Sequence, residues 1–111
     1  MTAPEYGDVA WIDLDPQAGH EQAKRRPALV LSPRSFNERF GLALFCPISS
    51  KPRGHAFEVA MPGGGTIDGV VVVHHIKSLD WRARRCERVC AAPPDICAAV
   101  ADIVREMTRF R

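Results

Sequence analysis

Apolar residues recur along the chain at two different spacings, and each spacing predicts a different kind of element. Over most of the chain, short alternating or continuous apolar runs are separated by polar segments rich in Gly and Pro, a pattern typical of β-strands. The predicted strands are Gly7–Asp15, Pro27–Ser32, Leu42–Ile48, Ala56–Met61, Gly69–His75 and a last strand from Trp81 onward. Between the second and third strands, a capping-box pattern from Ser35 to Glu38 predicts one helical turn, which Gly41 ends.

The spacing changes after Pro94, where a proline followed by Asp95 favours the start of a helix. Apolar residues then recur at helical spacing, at Ile96, Val100, Ile103, Val104 and Met107. Because the segments between the strands are mostly loops rather than helices, a parallel β-α-β arrangement is disfavoured. The pattern therefore predicts a mainly β protein, a small barrel of short strands with one C-terminal α-helix.

One stretch, GHEQAKRRPALVLSP from Gly19 to Pro33, joins a polar loop to an apolar strand. Pro27 restricts Arg26 to extended backbone geometry. We therefore expect Arg26 to lie at the mouth of the sheet, with its guanidinium over a surface cleft. The apolar run that follows is continuous, which indicates a strand buried on both faces.

Length and composition predict one domain, spanning residues 1–111. A chain of 111 residues with 46% hydrophobic residues should bury roughly two-thirds of its unfolded surface. The first residues lack the basic region followed by an apolar region that is typical of an export signal. The longest aliphatic run, Val70–Val73, is too short to cross a bilayer. We expect a soluble, cytoplasmic protein with no membrane partner.

The four cysteines are too few and too unevenly spaced for a disulfide scaffold, so we interpret them as thiols. A metal site built from Cys86, Cys90 and the His74–His75 pair is conceivable, but no CxxC or HxxxH spacing supports it. Small buried apolar residues are the favoured role for the cysteines, and we expect no metal ion and no cofactor.

The net charge of +2 falls short of the strongly basic composition of duplex-DNA binders. Basic residues concentrate in two segments, Lys24–Arg39 and Lys77–Arg88. If the fold brings these segments together, they form a positive cleft that suits a short anionic chain. The alternative is that these arginines lie solvated on strand faces.

Four motifs stand in order along nearly the whole chain, from Tyr6 to the C-terminal helix: GDVAWIDLDP, GHEQAKRRPALVLSP, CPISSKPRGHAFEV and IKSLDWRAR. Together they resemble the MazF/PemK family of toxin ribonucleases, and four ordered motifs are more specific than any one of them. The resemblance implies an SH3-like barrel, a homodimer, and metal-independent cleavage of single-stranded RNA at a short sequence. It also implies a cognate antitoxin whose acidic tail fills the RNA groove.

The resemblance assigns catalytic roles to Arg26, which precedes the proline of the strand, and to Ser49, two residues after Pro47. Ser49 stands where the family has a threonine, so a hydroxyl is retained. Glu21 and Gln22 match the Glu-Gln pair that shapes the family's site. A second departure is His74–His75, where relatives tend to carry Asp-Gln.

RNA cleavage without a metal uses the neighbouring 2′-hydroxyl as the nucleophile, so the protein must stabilise a crowded, charge-rich transition state. A guanidinium can bind two phosphate oxygens at once, and it stays protonated at neutral pH. We therefore expect Arg26 to act electrostatically, while Ser49 fixes the phosphate or relays a proton. The alternatives are a surface salt bridge between Arg26 and Glu21 and a loop-capping role for Ser49, with Ser50 as a substitute hydroxyl.

Further residues are candidates for contacts to RNA. Phosphate contacts are expected from Lys51, Arg53 and Lys77. His20 is a candidate for sharing proton transfer and His74 for binding RNA. His74 and His75 end a predicted strand, so only one of them is expected to face the cleft. Phe57 and Trp81 could stack a base, although packing in the core is favoured for both. The RNA target is expected to depend on the Ser49–His55 and Met61–Asp68 loops.

Two other functions are compatible with this fold. The first is a protein-binding toxin of the gyrase-poisoning kind, and the second is an RNA-binding relative with weakened catalysis. The Glu-Gln loop together with Arg26 favours the ribonuclease, because a contact surface does not require a guanidinium and a hydroxyl in one cleft.

Overall fold

The structure, a computed structural model, describes residues 2–15 and 24–109. The strands are β1 (Asp8–Asp15), β2 (Lys24–Val30), β3 (Ala43–Ser49), β4 (Glu58–Ala60), β5 (Val70–Val72), β6 (Lys77–Leu79) and β7 (Glu87–Ala91). The helices are α1 (Arg34–Phe40) and α2 (Pro94–Met107), and a short 3-10 helix spans Val73–His75. No helix within the described part of the chain has the length and apolar character needed to cross a membrane.

All the strand pairs described are antiparallel, in the order β4-β5-β3-β2-β1-β7. Strand β3 is the hub of the sheet, since it pairs with β2, with β6 through its first residues and with β5 through its last. The prediction of a mainly β protein with a C-terminal helix is confirmed. Closure into a barrel is incomplete within the described residues, because β4 and β7 are the two ends of the order.

Strand β2 has side chains in two separate hydrophobic clusters. Ala28 and Val30 belong to a cluster around Trp81, whereas Leu29 belongs to a second cluster that includes Val100 of α2. This confirms the expectation of burial on both faces, because successive side chains of a strand point to opposite sides. The sheet is therefore fixed from both sides at the strand that carries Arg26.

Helix α1 is longer than predicted and begins differently. It starts after Pro33 without a side-chain cap, so the capping box at Ser35 is wrong. Instead, the fully buried Asn37 ties the helix to its surroundings: its Nδ2 donates to the carbonyl oxygens of Pro4 (2.8 Å) and Ser32 (2.9 Å). The indole nitrogen of Trp81 donates to the Asn37 carbonyl (2.8 Å), and Trp81 is buried as expected.

The last third of the sheet departs most from the predicted strands. The apolar run from Gly69 continues as a 3-10 helix after Val72, and an additional strand, β6, occupies Lys77–Leu79. The chain then turns, because the Asp80 carboxylate accepts the backbone N–H groups of Arg82 (3.1 Å) and Ala83 (2.9 Å). The last strand consequently begins at Glu87 rather than at Trp81.

The cysteines are free thiols within the described residues, as predicted. Cys46 and Cys97 are buried, and Cys86 and Cys90 are half-buried. Burial raises the pKa of Cys46 to about 12 and that of Cys86 to about 11, so both stay protonated at neutral pH.

Arginines from both basic segments hold the fold together through ion pairs. Arg85 donates to both oxygens of the Asp13 carboxylate (2.8 and 3.1 Å), and Arg25 donates to one of them (3.2 Å). Arg88 pairs with Asp8 (3.0 Å). These arginines face buried carboxylates, so only part of each basic segment, Arg26 of the first and Lys77 of the second, lines a common cationic cleft.

Asp13→Asn should lower the free energy of unfolding at pH 7 by about 1–3 kcal/mol, since it removes charge-assisted hydrogen bonds at a buried position. The Arg85 hydrogen bonds hold the pKa of Asp13 below its ordinary value. The Asp13 contribution is thus complete above that ordinary value, near 3.9, and is lost as the pH falls further. Urea unfolding between pH 7 and pH 3 measures it. An acid-induced loss as steep in Asp13→Asn as in the wild type would contradict this assignment.

Candidate active site

Arg26 lies within β2, where it pairs across the sheet with Ile12 of β1. Strand β2 begins at Lys24, whereas the sequence predicts that the loop ends at Arg26 and the strand begins at Pro27. The predicted strand start is therefore wrong. The Arg26 side chain is nevertheless exposed and lines a surface cleft. Glu21, its alternative salt-bridge partner, lies outside the described residues.

Ser49 is the last residue of β3 and pairs with Val70 of β5. Its hydroxyl oxygen accepts the backbone N–H of Lys51 (3.1 Å). The loop-capping role considered from the sequence is therefore present. It does not remove Ser49 from the cleft, because the half-buried side chain also lines it.

The cleft has a volume of about 610 Å3, and we name it the Arg26–Ser49 cleft. It brings together six residues selected from the sequence, which are Arg26, Ser49, Lys51, Arg53, His74 and Lys77. Four of them are Arg or Lys, so the cleft carries a concentrated positive charge suited to a phosphate backbone. His20, Glu21 and Gln22 lie outside the described residues.

Glu58, which was not selected from the sequence, orders the basic loop of the cleft. Its carboxylate accepts the backbone N–H groups of Arg53 (3.1 and 3.2 Å) and Gly54 (3.1 Å). These hydrogen bonds tie the loop to the start of β4. Glu58 therefore holds in place the loop whose basic side chains, Lys51 and Arg53, line the cleft.

A second residue that was not selected, Gly69, lies against the backbone of Ser49 and Ser50. Its φ angle is +120°, and a Cβ at this position would overlap the Ser49 carbonyl oxygen. Only glycine fits both the backbone angle and the space. The backbone position of Ser49 thus depends on the absence of a side chain at Gly69.

Three histidine rings lie together along one side of the cleft. The His74 ring centroid is 4.4 Å from that of His75 and 5.7 Å from that of His55. Both His74 and His75 line the cleft, so the expectation that only one would face it is wrong. The reason is that they lie on a 3-10 helix, where side chains do not alternate as in a strand.

Phe57 lies beside this histidine group rather than in the core. Its ring centroid is 5.7 Å from that of His74, and 42% of the residue is exposed. The preference for core packing is therefore wrong for Phe57. An exposed ring at the edge of a cationic cleft is available for stacking with a base.

The histidine group should make RNA affinity depend on pH. Partial burial lowers the pKa of His75, and the neighbouring His74, Lys77 and His55 lower it further. His75 therefore gains its charge at a lower pH than an ordinary histidine. We expect affinity for an uncleavable 2′-deoxy oligonucleotide to rise about fivefold as His75 becomes charged, because a cation near a phosphate contributes about 1 kcal/mol.

Fluorescence anisotropy between pH 8 and pH 5 measures this affinity, and His75→Gln should flatten the low-pH part of the curve. An unchanged curve would remove His75 from the RNA-binding surface.

A second cavity, of about 480 Å3, adjoins the Arg26–Ser49 cleft and shares Arg26, Ile48 and Ser50 with it. Its other lining residues are Trp11, Arg25, Pro27, Thr66, Ile67 and Asp68. We name it the Trp11–Asp68 pocket. Arg26 therefore lines two adjoining depressions of the surface. Within the described residues, no group of three or more His, Cys, Asp or Glu side chains is arranged to hold a metal ion.

Comparison with known proteins identifies the family. A family model described as a PemK-like, MazF-like toxin of type II toxin–antitoxin systems matches residues 5–108. This chain belongs to that family. The resemblance noted in the sequence is thereby confirmed over almost the whole chain.

Individual members of the PemK/MazF family are similar in sequence. The endoribonuclease toxin MazF of Escherichia coli strain K12 is 40% identical over 92 residues, covering 83% of this chain and 82% of that protein. The endoribonuclease toxin ChpB of the same strain is 36% identical over 97 residues, covering 83% of each.

Solved structures of the family agree with the fold. MazF from Deinococcus radiodurans matches with a TM-score of 0.87 and 44% identity, covering 96% of this chain and 97% of that chain. A MazE–MazF structure from the same organism matches with a TM-score of 0.90 and 44% identity, covering 96% of each chain. The antiparallel sheet with its C-terminal helix is therefore the fold of MazF toxins.

Proposed function

We propose that this protein is an endoribonuclease toxin that cleaves single-stranded RNA at a phosphodiester held in the Arg26–Ser49 cleft. The main support is that Arg26 of β2 and the Ser49 hydroxyl of β3 line the same cleft. The other cationic side chains that line this cleft suit a phosphate backbone. The names of the E. coli relatives, both endoribonuclease toxins, support the same reaction. We further propose that cleavage needs no metal ion and occurs at a short sequence in cytoplasmic mRNA.

In the proposed reaction, the 2′-hydroxyl loses its proton as its oxygen attacks the adjacent phosphorus, the bond from phosphorus to the 5′-oxygen breaks, and the departing 5′-oxygen gains a proton. The products are a 2′,3′-cyclic phosphate and a 5′-hydroxyl end, so no water molecule is consumed in this step. Arg26 stabilises the negative charge that develops on the phosphate oxygens. Ser49 Oγ binds the phosphate or relays a proton. Lys51, Arg53 and Lys77 hold the flanking phosphates.

We also propose that the protein is a homodimer and is neutralised by a cognate antitoxin whose acidic segment occupies the same cleft. Solved structures from D. radiodurans contain MazE together with MazF, which supports a protein partner for this toxin. Carboxylates of an acidic segment would meet the same cations as RNA phosphates, so binding of the two should be mutually exclusive.

The proposal is tested by incubating end-labelled single-stranded RNA with the protein in excess chelator. The wild type should give discrete fragments, and Arg26→Ala should not. Arg39→Ala is the matched control, because Arg39 is an exposed arginine on α1 that lines neither depression. If the wild type gives no fragments in the absence or presence of Mg²⁺, or if both variants lose activity equally, the proposed function is wrong. Binding without cleavage would favour the RNA-binding alternative.

A further inference from the structure

The Trp11–Asp68 pocket adjoins the proposed reaction site through a shared arginine. Arg26 lines both the pocket and the Arg26–Ser49 cleft, as do Ile48 and Ser50. If Arg26 binds a phosphate, the nucleoside attached to that phosphate has its base one sugar away. The pocket is therefore within reach of the base of a neighbouring nucleotide.

The lining of this pocket combines an aromatic surface with a polar edge. Trp11 is half-buried and lies near the apolar side chains of Pro27, Ile48 and Ile67 that also line the pocket. The exposed Asp68 and the hydroxyl groups of Ser50 and Thr66 supply polar atoms. A flat ligand with an apolar face and a hydrogen-bonding edge fits this lining, and a nucleobase is such a ligand.

The carboxylate of Asp68 favours guanine over uracil. An ionised carboxylate only accepts hydrogen bonds, and it can accept two at once. The Watson–Crick edge of guanine offers two adjacent donors, N1–H and the N2 amino group. Uracil offers one N–H that lies between two carbonyl oxygens, which the carboxylate repels. A hydroxyl of Ser50 or Thr66 can donate to guanine O6.

We propose that the Trp11–Asp68 pocket binds a guanine base next to the cleaved phosphodiester, with Trp11 stacking on the base and Asp68 accepting hydrogen bonds from its Watson–Crick edge. Asp68 is then a specificity-determining residue, and the pocket makes guanine part of the target sequence. This inference rests on the proposed ribonuclease function and adds the identity of one base.

Sequencing the fragments of a random RNA library tests the specificity. The wild type should cut with guanine enriched at one fixed position beside the break. In Asp68→Asn the preference for guanine over uracil at that position should fall by about 5- to 100-fold, while other positions stay unchanged. Asp102→Asn, at an exposed carboxylate on α2, is the matched control and should keep the wild-type preference. An unchanged guanine preference in Asp68→Asn, or no base preference in the wild type, would overturn the inference.

Tryptophan fluorescence gives a readout that does not require cleavage. The chain has two tryptophans, and Trp81 is buried, so quenching by an added base reports mainly on Trp11. A 2′-deoxy trinucleotide with a central guanine should quench more strongly than the same probe with a central uracil. Trp11→Phe should abolish this difference.

Equal quenching of the wild type by the two probes would overturn the inference. If the wild type cleaves no RNA but still prefers guanine in this titration, the proposed function fails and the base pocket stands.

Discussion

Arg26→Lys is expected to leave no more than about a hundredth of the wild-type cleavage rate. Removing one preorganised donor to a developing oxyanion typically costs a factor of about 10²–10³. Lysine keeps the positive charge but loses the planar fork that binds two phosphate oxygens. The rate should therefore fall close to that of Arg26→Ala. Single-turnover kinetics with saturating protein measures this rate, because weaker RNA binding then does not limit it.

The Arg26 side chain is exposed in the cleft, so neither substitution should disturb folding. Unchanged urea unfolding in both variants is the control. A lysine variant with near wild-type rate would show that positive charge alone suffices, and two-oxygen phosphate recognition by Arg26 would be wrong.

Gly69→Ala is expected to reduce both stability and activity. The added Cβ would overlap the Ser49 carbonyl oxygen and lie 2.9 Å from its carbonyl carbon, with a φ angle of +120° at the substituted residue. Backbone strain and overpacking each cost about 1–3 kcal/mol. Relief of the overlap has to move the end of β3, and with it the Ser49 hydroxyl. We therefore expect the free energy of unfolding to fall by at least about 2 kcal/mol and the single-turnover rate to fall about tenfold or more, since small displacements of reacting groups are costly.

Gly64 provides the matched control, because its φ angle is +80° and a Cβ there would have no neighbouring atom within 4 Å. Gly64→Ala therefore carries the backbone strain without the overlap at the site. Activity should stay at the wild-type level in Gly64→Ala. Equal losses of activity in the two variants would contradict a positioning role for Gly69.

The strands and the C-terminal helix could be predicted because apolar residues recur at different spacings in the two kinds of element. The continuous apolar run of β2 and the helical spacing after Pro94 were both sufficient signals. The chain after Gly69 was harder, because the apolar run extends into a 3-10 helix and local propensity does not distinguish the two. The core position predicted for Phe57 is wrong because β4 begins only at Glu58, so Phe57 lies in the turn before the strand and does not alternate with Val59.

The site could be predicted mainly where a residue belongs to a sequence motif. Arg26 and Ser49 were identified through the family resemblance, and both line the same cleft. Asp68 and Gly69 lie outside the motifs, and their proximity to the site depends on long-range arrangements such as the pairing of β3 with β5. His55 lies within the third motif, but its contact with His74 is formed only in the fold. Glu58 was also missed, since its role is in hydrogen bonds to the backbone of a loop.

The most direct test of the proposed chemistry removes the nucleophile from the substrate. An RNA oligonucleotide with a single 2′-deoxy nucleotide on the 5′ side of the cleaved bond is compared with its all-ribose equivalent. Attack by the 2′-hydroxyl requires that the modified bond stays intact while the all-ribose bond yields a 2′,3′-cyclic phosphate. Cleavage of both bonds at similar rates would contradict the account.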